Sequence, residues 1–346
     1  MTTEHQRALE PPPARPCEPP PQRRRLLGLQ YLRAIAAIGV VVFHATGVVG
    51  APWRFGAHGV DLFFVLSGFL MIVITDGGAR PWAFFRDRFL RVAPLYWIAT
   101  ASLILVGLAG LSPGMPLDPV RIATSFAFIP YGEVNARHIV LPVLPVGWTL
   151  NMEMLFYTVF ALVLFLPRYR MSALTCVLGG LVLAGLLVRP TGLAAVWVNT
   201  LMLELLAGGW LAIAWLRPDQ RWRIMAFMLL AIVVWPGGAV EWIGTPVTLI
   251  VAAVLFLEAR GWVPTWRPLL LLGDASYSIY LWQVFPLLLT SRLGARFPVP
   301  PGILVAATVL VALGGGVMAY FLIERPLLRF FHRRRTQRGI TVPAGP

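Results

Sequence analysis

The chain of 346 residues contains no lysine; all 29 of its basic residues are arginine, a bias that reads as codon usage rather than mechanism. Cysteine is nearly absent as well. Cys17 lies in a proline-rich tail and Cys176 inside an apolar run, which gives neither a disulfide framework nor a metal spacing and leaves redox chemistry unindicated. The 5 histidines form no His-x-x-x-His pair and no His/Cys cluster, so no metal site is expected. Only 13% of residues are charged against 58% hydrophobic, and the mean hydropathy is +0.74. That balance excludes an ordinary soluble domain and predicts a polytopic membrane protein. The formal net charge of +14 does not point to nucleic acid, because the arginines sit at the ends of apolar spans rather than on a soluble face.

What is present is a series of apolar runs. Residues Met1–Arg25 carry Pro11–Pro13, Pro16 and Pro19–Pro21 and cannot bury a core, so they are expected to form an extended tether. A signal peptide is the competing reading, but the run that follows is too long for a typical h-region and holds Arg33 and His44. At about 20 apolar residues per crossing, the spans fall at Leu29–Val49, Val60–Ile74, Val92–Leu111, Val146–Leu166, Ala173–Val188, Trp197–Leu216, Arg223–Pro236, Trp242–Leu257, Leu269–Leu289 and Ile303–Ile323. The expectation is an all-α fold of about ten transmembrane helices with both termini cytoplasmic. A membrane domain over 26–330 lies between the tail 1–25 and a basic tail 331–346. Arginine counts support this topology: 22 fall in the segments assigned to the inside and six in those assigned outside, with Arg33 within the first span. The longest loop, Ser112–Pro145, holds Ile122–Pro130, too short to cross and able either to re-enter or to lie on the surface.

Arg33 and His44 are costly at membrane depth and mark a functional site by default. Eleven residues are about three turns, roughly 16 Å, so both point to nearly one face and describe a polar track. Counted from the span ends, His44 and Glu153 share an outer layer, with His58 and Asp61 at the start of span two and Gln283 in span nine able to reach it. An acid beside a histidine fixes its tautomer and raises its basicity, as deprotonating a hydroxyl requires; the alternative is a polar network that holds helices together. Arg86, Arg88 and Arg91 lie in Trp82–Arg91, before span three. They read either as positive-inside anchoring at lipid headgroups or as a phosphate site. Ser67 lacks a nucleophile elbow, and Ser67-Gly68 reads as a close-packing step. Glu204 is a buried acid with no visible partner, serving either a helix contact or a substrate.

Arg33 and His44 with ten residues between them, in Gln30-Tyr31-Leu32-Arg33-Ala34-Ile35-Ala36-Ala37 and onward, resemble the opening motif of membrane acyltransferase family 3. Gly59 to Phe69, Arg88 to Tyr96, Gly147 to Tyr157 and Leu272 to Trp282 resemble its further signatures in order, with Glu324-Arg325-Pro326 closing the last span. The wording is most similar to the exopolysaccharide O-acetyltransferase branch. The resemblance implies a multi-pass enzyme of the bacterial inner membrane that moves an acyl group, commonly acetyl from acetyl-CoA, to a hydroxyl of an envelope glycan. It makes Arg33 and His44 the essential pair and the segment with Arg88 and Arg91 an acyl-CoA contact. Trp148, Tyr277 and Gln283 are the candidate acceptor contacts. Many relatives have histidine where this chain has Gln283, so no proton-transfer role carries over there.

The expected mechanism has acyl-CoA entering from the cytoplasm, phosphates near Arg86, Arg88 and Arg91, and Arg33 guiding the arm toward His44. His44 then activates the acceptor, a glycan or lipid-linked saccharide, with Glu153 or Asp61 orienting the imidazole; a covalent acyl-His is the open variant. No permanently bound cofactor is expected, and no partners beyond acyl-CoA, acceptor and membrane lipids. The rivals are an acyltransferase for a small secreted metabolite and a non-catalytic glycan or glycolipid transporter.

Overall fold

In the computed structural model, α1 (Leu27–Val48) opens the fold with its first two amides on a carboxylate. Leu27 N–H and Gly28 N–H donate to the Glu258 oxygens at 3.2 and 2.6 Å, placing negative charge at the helix N-terminus. The structure describes residues 26–112, 115, 117–132, 139–191, 193–220, 222, 226 and 244–338. The tail 1–25, the seventh span Arg223–Pro236 apart from Ala226, the start of the eighth at Trp242 and residues 339–346 lie outside the described residues. The described residues are 80% helical without strands. Among the described residues, seven helical stretches are long and apolar enough to cross a membrane, and Gly244–Ala259 is a shorter apolar helix.

A 3₁₀ turn (Arg54–His58) leads into α2 (Gly59–Thr75). Gly56 and Gly59 have no side chain to hold the backbones apart, and they pack against Gly39, Ala36 and Val40 midway along α1. Helix α2 therefore begins at mid-depth and runs back toward the end at which α1 started, here the near end. The next helix, α3 (Pro81–Leu108), has proline in its first turn, where the missing N–H costs nothing. It starts eleven residues before the expected span Val92–Leu111, so the basic segment Trp82–Arg91 is its first half, not a preceding loop.

The long loop re-enters the bundle. Within it, α4 (Pro119–Phe126) is capped by Asp118, whose carboxylate accepts Arg121 N–H at 2.8 Å. Trp97 Nε1–H, midway along α3, donates to the Phe126 carbonyl at 2.9 Å, and Phe128 is buried beyond it. The chain returns through Val143, whose N–H donates to Ser125 Oγ at 3.0 Å, to α5 (Trp148–Val163). Gly147, just before α5, packs on the Tyr96 ring, and Tyr280 O–H donates to the Val146 carbonyl at 2.9 Å. Helix α5 thus also starts within the bundle.

Then come α6 (Arg170–Val188), α7 (Leu193–Trp197) and α8 (Met202–Leu216); α8 lies backbone to backbone against α2 through Gly68 and Gly208. After α9 (Gly244–Ala259), the expected ninth span is three pieces, α10 (Arg267–Asp274), α11 (Ser276–Trp282) and α12 (Val284–Arg296), broken at Ala275 and Gln283. Finally α13 (Pro301–Ala319) passes through a π-helical turn (Tyr320–Glu324) into α14 (Arg325–Arg338).

Candidate functional site

A cavity of about 130 Å³ opens between α1, α2, α3, α5 and α11, lined by Arg33, Ser67, Arg88, Arg91, Glu153, Tyr157 and Tyr277 among others. Each enters by helical periodicity. Val60, Phe63, Ser67 and Met71 form one face of α2, Arg88 and Arg91 are one turn apart on α3, and Glu153 and Tyr157 are one turn apart on α5. Glu153 is the hub: its Oε1 accepts Ser67 O–H at 2.9 Å and Tyr157 O–H at 2.5 Å. Arg33 Nε–H donates to Ser276 Oγ at 3.2 Å, and it lies within the electrostatic reach of Arg91, Glu324, Glu153 and Tyr157.

The arginines divide sharply. Arg91 Nη1 is 2.7 Å from Glu324 Oε1, and Glu324 is only 1% exposed. Arg86 is paired with Asp87 at 3.3 Å and does not line the cavity. Neither Arg33 nor Arg88 has a carboxylate oxygen within 4.0 Å among the described residues, and the buried Arg88 Nε has no hydrogen-bond partner there. Arg88 also lines a second recess of about 430 Å³ with Thr75, Arg80 and Asp87, making it the shared wall of two cavities. Guanidinium groups held without a direct ion pair around a partly apolar chamber are suited to a phosphate-bearing ligand with an uncharged arm.

Two expectations about depth are corrected. Glu153 does not share the layer of His44; it bonds Ser67, eight residues beyond Gly59 and therefore about 12 Å nearer the near end, in the layer of Arg33. The expectation measured depth from span ends, whereas α2 and α5 begin inside the bundle. Nor is the face from Arg33 to His44 a continuous polar track, for Ala37 and Val40 lie between them, each 1% exposed. Ala37 and Val41 pack with Ala275, Ile279 and Ala312, and Phe63 lies against that group. The Phe63 and Tyr280 rings, 6.1 Å apart and edge to face, both line the cavity.

The remaining expected residues fall around this chamber. His44 is half-buried, its ring beside Phe43 at 5.0 Å, and it does not line the cavity. Asp61 pairs with His58 Nδ1 at 2.9 Å rather than with His44, and its carboxyl lies near the buried Glu204 on α8. Tyr277 lines the cavity and donates to the Val92 carbonyl at 2.7 Å. Gln283 is fully buried, its amide donating to the Tyr280 carbonyl at 2.9 Å, and Trp148 packs on the main core outside the cavity. Gly68 makes the close packing step expected of Ser67-Gly68, while the Ser67 hydroxyl turns to Glu153. Tyr157, Ser276 and Glu324 were not singled out from sequence; the cost of leaving Glu324 unpaired at that depth was the available signal.

The family model described as an acyltransferase domain, acyltransferase family 3, matches residues 26–321. The chain is 36% identical over 312 residues to "Exopolysaccharide production protein ExoZ" of Rhizobium meliloti (strain 1021), covering 87% of this chain and 98% of that protein. It is 25% identical over 372 residues to "O-acetyltransferase OatA" of Staphylococcus aureus (strain MRSA252), covering 92% of this chain and 61% of the longer relative. No solved structure matches the chain.

Proposed function

The chain belongs to acyltransferase family 3, and from that premise we propose that it moves an acetyl group from acetyl-CoA to a hydroxyl of an exopolysaccharide or another envelope glycan. The observation that carries the donor is the pair Arg33 and Arg88, cations facing a common chamber with no carboxylate in contact among the described residues. Full-length similarity to an exopolysaccharide production protein, and similarity to an O-acetyltransferase, support the acceptor class. The near end is the cytoplasmic side of a bacterial inner membrane in this reading, with about ten crossings and both termini inside, as the arginine distribution favours.

Acetyl-CoA enters at the recess of Arg80 and Arg88, and its phosphates settle on Arg88 and Arg33. To reach His44, roughly 16 Å from Arg33 along α1, its uncharged arm has to part the apolar packing of Ala37, Val40, Phe63 and Tyr280. His44 takes the proton of the acceptor hydroxyl as the oxygen attacks the thioester carbonyl. The new C–O ester bond forms, the C–S bond breaks, and the thiolate takes the proton from His44 to leave as CoA thiol. In the covalent variant the His44 nitrogen carries the acetyl group first and passes it to the hydroxyl. Glu153, with Ser67 and Tyr157, holds the arginine layer in register.

The test is transfer of labelled acetyl from acetyl-CoA to glycan by the purified protein in detergent. Wild type transfers label and His44→Ala does not while accumulating normally in the membrane. Label transfer retained by His44→Ala overturns the mechanism, and acceptor movement across vesicles without acetyl transfer overturns the enzyme reading in favour of a transporter.

A further inference from the structure

Arg88 and Arg91 are three residues apart on α3 and line one cavity, so as a sequence they are equivalent. Their surroundings are not. Arg91 is held at 2.7 Å by the Glu324 carboxylate, and its guanidinium carbon is 6.0 Å from the centre of the Tyr277 ring. The second Glu324 oxygen accepts Ser278 O–H at 2.6 Å, and Tyr277 is itself tied to the Val92 carbonyl at 2.7 Å. One carboxylate therefore joins α3, α11 and the end of α13 at a point 1% exposed. The π-helical turn Tyr320–Glu324 explains how it gets there: widening one turn resets the direction of the side chains that follow, and such turns recur at functional sites.

We infer that Glu324 is a positioning residue that withholds Arg91 from the donor phosphates, leaving Arg33 and Arg88 as the groups that fix the anion. This rests on the acetyl-CoA reading above. Three guanidiniums and two carboxylates, Glu153 and Glu324, share the layer, and Arg33 feels both Arg91 and Glu324. Paired with Glu324 at 2.7 Å, Arg91 is engaged and two guanidiniums, Arg33 and Arg88, face the ligand. Without Glu324, a third cation lies one helical step along α3. Three residues at 1.5 Å displace the phosphates by about 4.5 Å, enough to carry the thioester away from its reacting partner. Misplacement of even about 1 Å costs on the order of a hundred-fold in rate.

The experiment uses the purified full-length protein, with CoA binding read by protection against thermal unfolding and acetyl transfer read as separate kcat and KM for acetyl-CoA. Glu324→Gln keeps the size of the side chain and an oxygen for Ser278 but removes the charge. The expected result is CoA binding no weaker than wild type, KM unchanged or lower, and kcat reduced by about ten-fold or more. A purely structural Glu324 would lower the yield of folded protein and leave kcat and KM per folded molecule unchanged, which overturns the inference. In Glu324→Gln/Arg91→Gln the competing cation is gone, so kcat recovers toward wild type; a double variant slower than Glu324→Gln means that Arg91 grips the donor directly and overturns it too. If Glu324→Gln does not accumulate, the double variant decides, with turnover near wild type supporting the inference and loss of turnover overturning it. Failure of wild type to bind CoA removes the donor assignment and this inference with it, whereas wild-type binding with unaltered Glu324→Gln kinetics removes the inference alone.

Discussion

Helix α2 joins the stability of the bundle to the geometry of its chamber, and one methyl group tests the link. At 100° per residue, Asp61, Val65, Gly68 and Ile72 fall on the side facing α8, about 125° round the helix from Val60, Phe63, Ser67 and Met71, which line the cavity. A Cβ added at Gly68 would lie 2.8 Å from the Leu205 carbonyl carbon and nearer still to its oxygen. The reciprocal Cβ at Gly208 would lie 2.9 Å from the Val65 carbonyl carbon and from Phe69 N. Carbon contacts become favourable at about 3.5 Å, and these neighbours are backbone that cannot rotate away, so the helices must part by roughly 1 Å. Overpacking of this kind costs about 1–3 kcal/mol. The displacement pushes Ser67 and Phe63 into the chamber, and about 1 Å of misplacement lowers turnover up to roughly a hundred-fold. Gly68→Ala should therefore unfold at lower temperature in detergent and turn over about 10- to 100-fold more slowly per folded molecule. Gly179→Ala on α6 is the control, since a Cβ there meets nothing within 4 Å; it should be neutral or stabilising by up to about 1 kcal/mol. Wild-type stability and turnover in Gly68→Ala would refute both the packing argument and its coupling to the site.

Arg88→Gln should raise the KM for acetyl-CoA about ten-fold or more, whereas Arg86→Gln, whose partner is Asp87 outside the cavity, should leave it within about two-fold; equal effects would remove the distinction between the arginines. Glu258→Ala strips the carboxylate from the Leu27 and Gly28 amides and should lower stability by about 1–2 kcal/mol, read by thermal unfolding; an unchanged midpoint would show that water replaces the cap without loss.

The fold was legible wherever hydropathy alone decides. Val60–Ile74 and Ala173–Val188 lie within observed helices, and Leu29–Val49 overruns its helix, Leu27–Val48, by one residue, because a backbone without water must bond to itself. Arg33 and Glu153, read as candidates because charge in an apolar run needs a reason, and Arg88 and Arg91, read either as anchoring or as a phosphate site, line one cavity. Depth was not legible. A residue count from a span end assumes that every helix starts at the membrane surface, and Gly56, Gly59 and Gly147 let α2 and α5 start in the interior. The single apolar window Leu269–Leu289 likewise hid the breaks at Ala275 and Gln283, because backbone direction leaves no trace in hydropathy. Glu324 was read only as the close of a motif, since its partner Arg91 lies far away in sequence and its entry depends on a local π turn.

The apolar packing of Ala37, Val41, Ala275 and Ile279, closed by Phe63 and Tyr280, has an electrical consequence. Water reaching Arg33 and Arg88 from one side would shorten the insulating path, so much of the transmembrane voltage would fall across these few side chains. Each elementary charge carried over such a step costs or gains about 2.3 kcal/mol per 100 mV. In the acetyl-CoA reading, the thioester arm and acetyl group are neutral and would pass without electrical work, while the phosphates would stay behind on Arg33 and Arg88. Such a septum would sort a single donor molecule into a charged part that never leaves its side and an uncharged part that does.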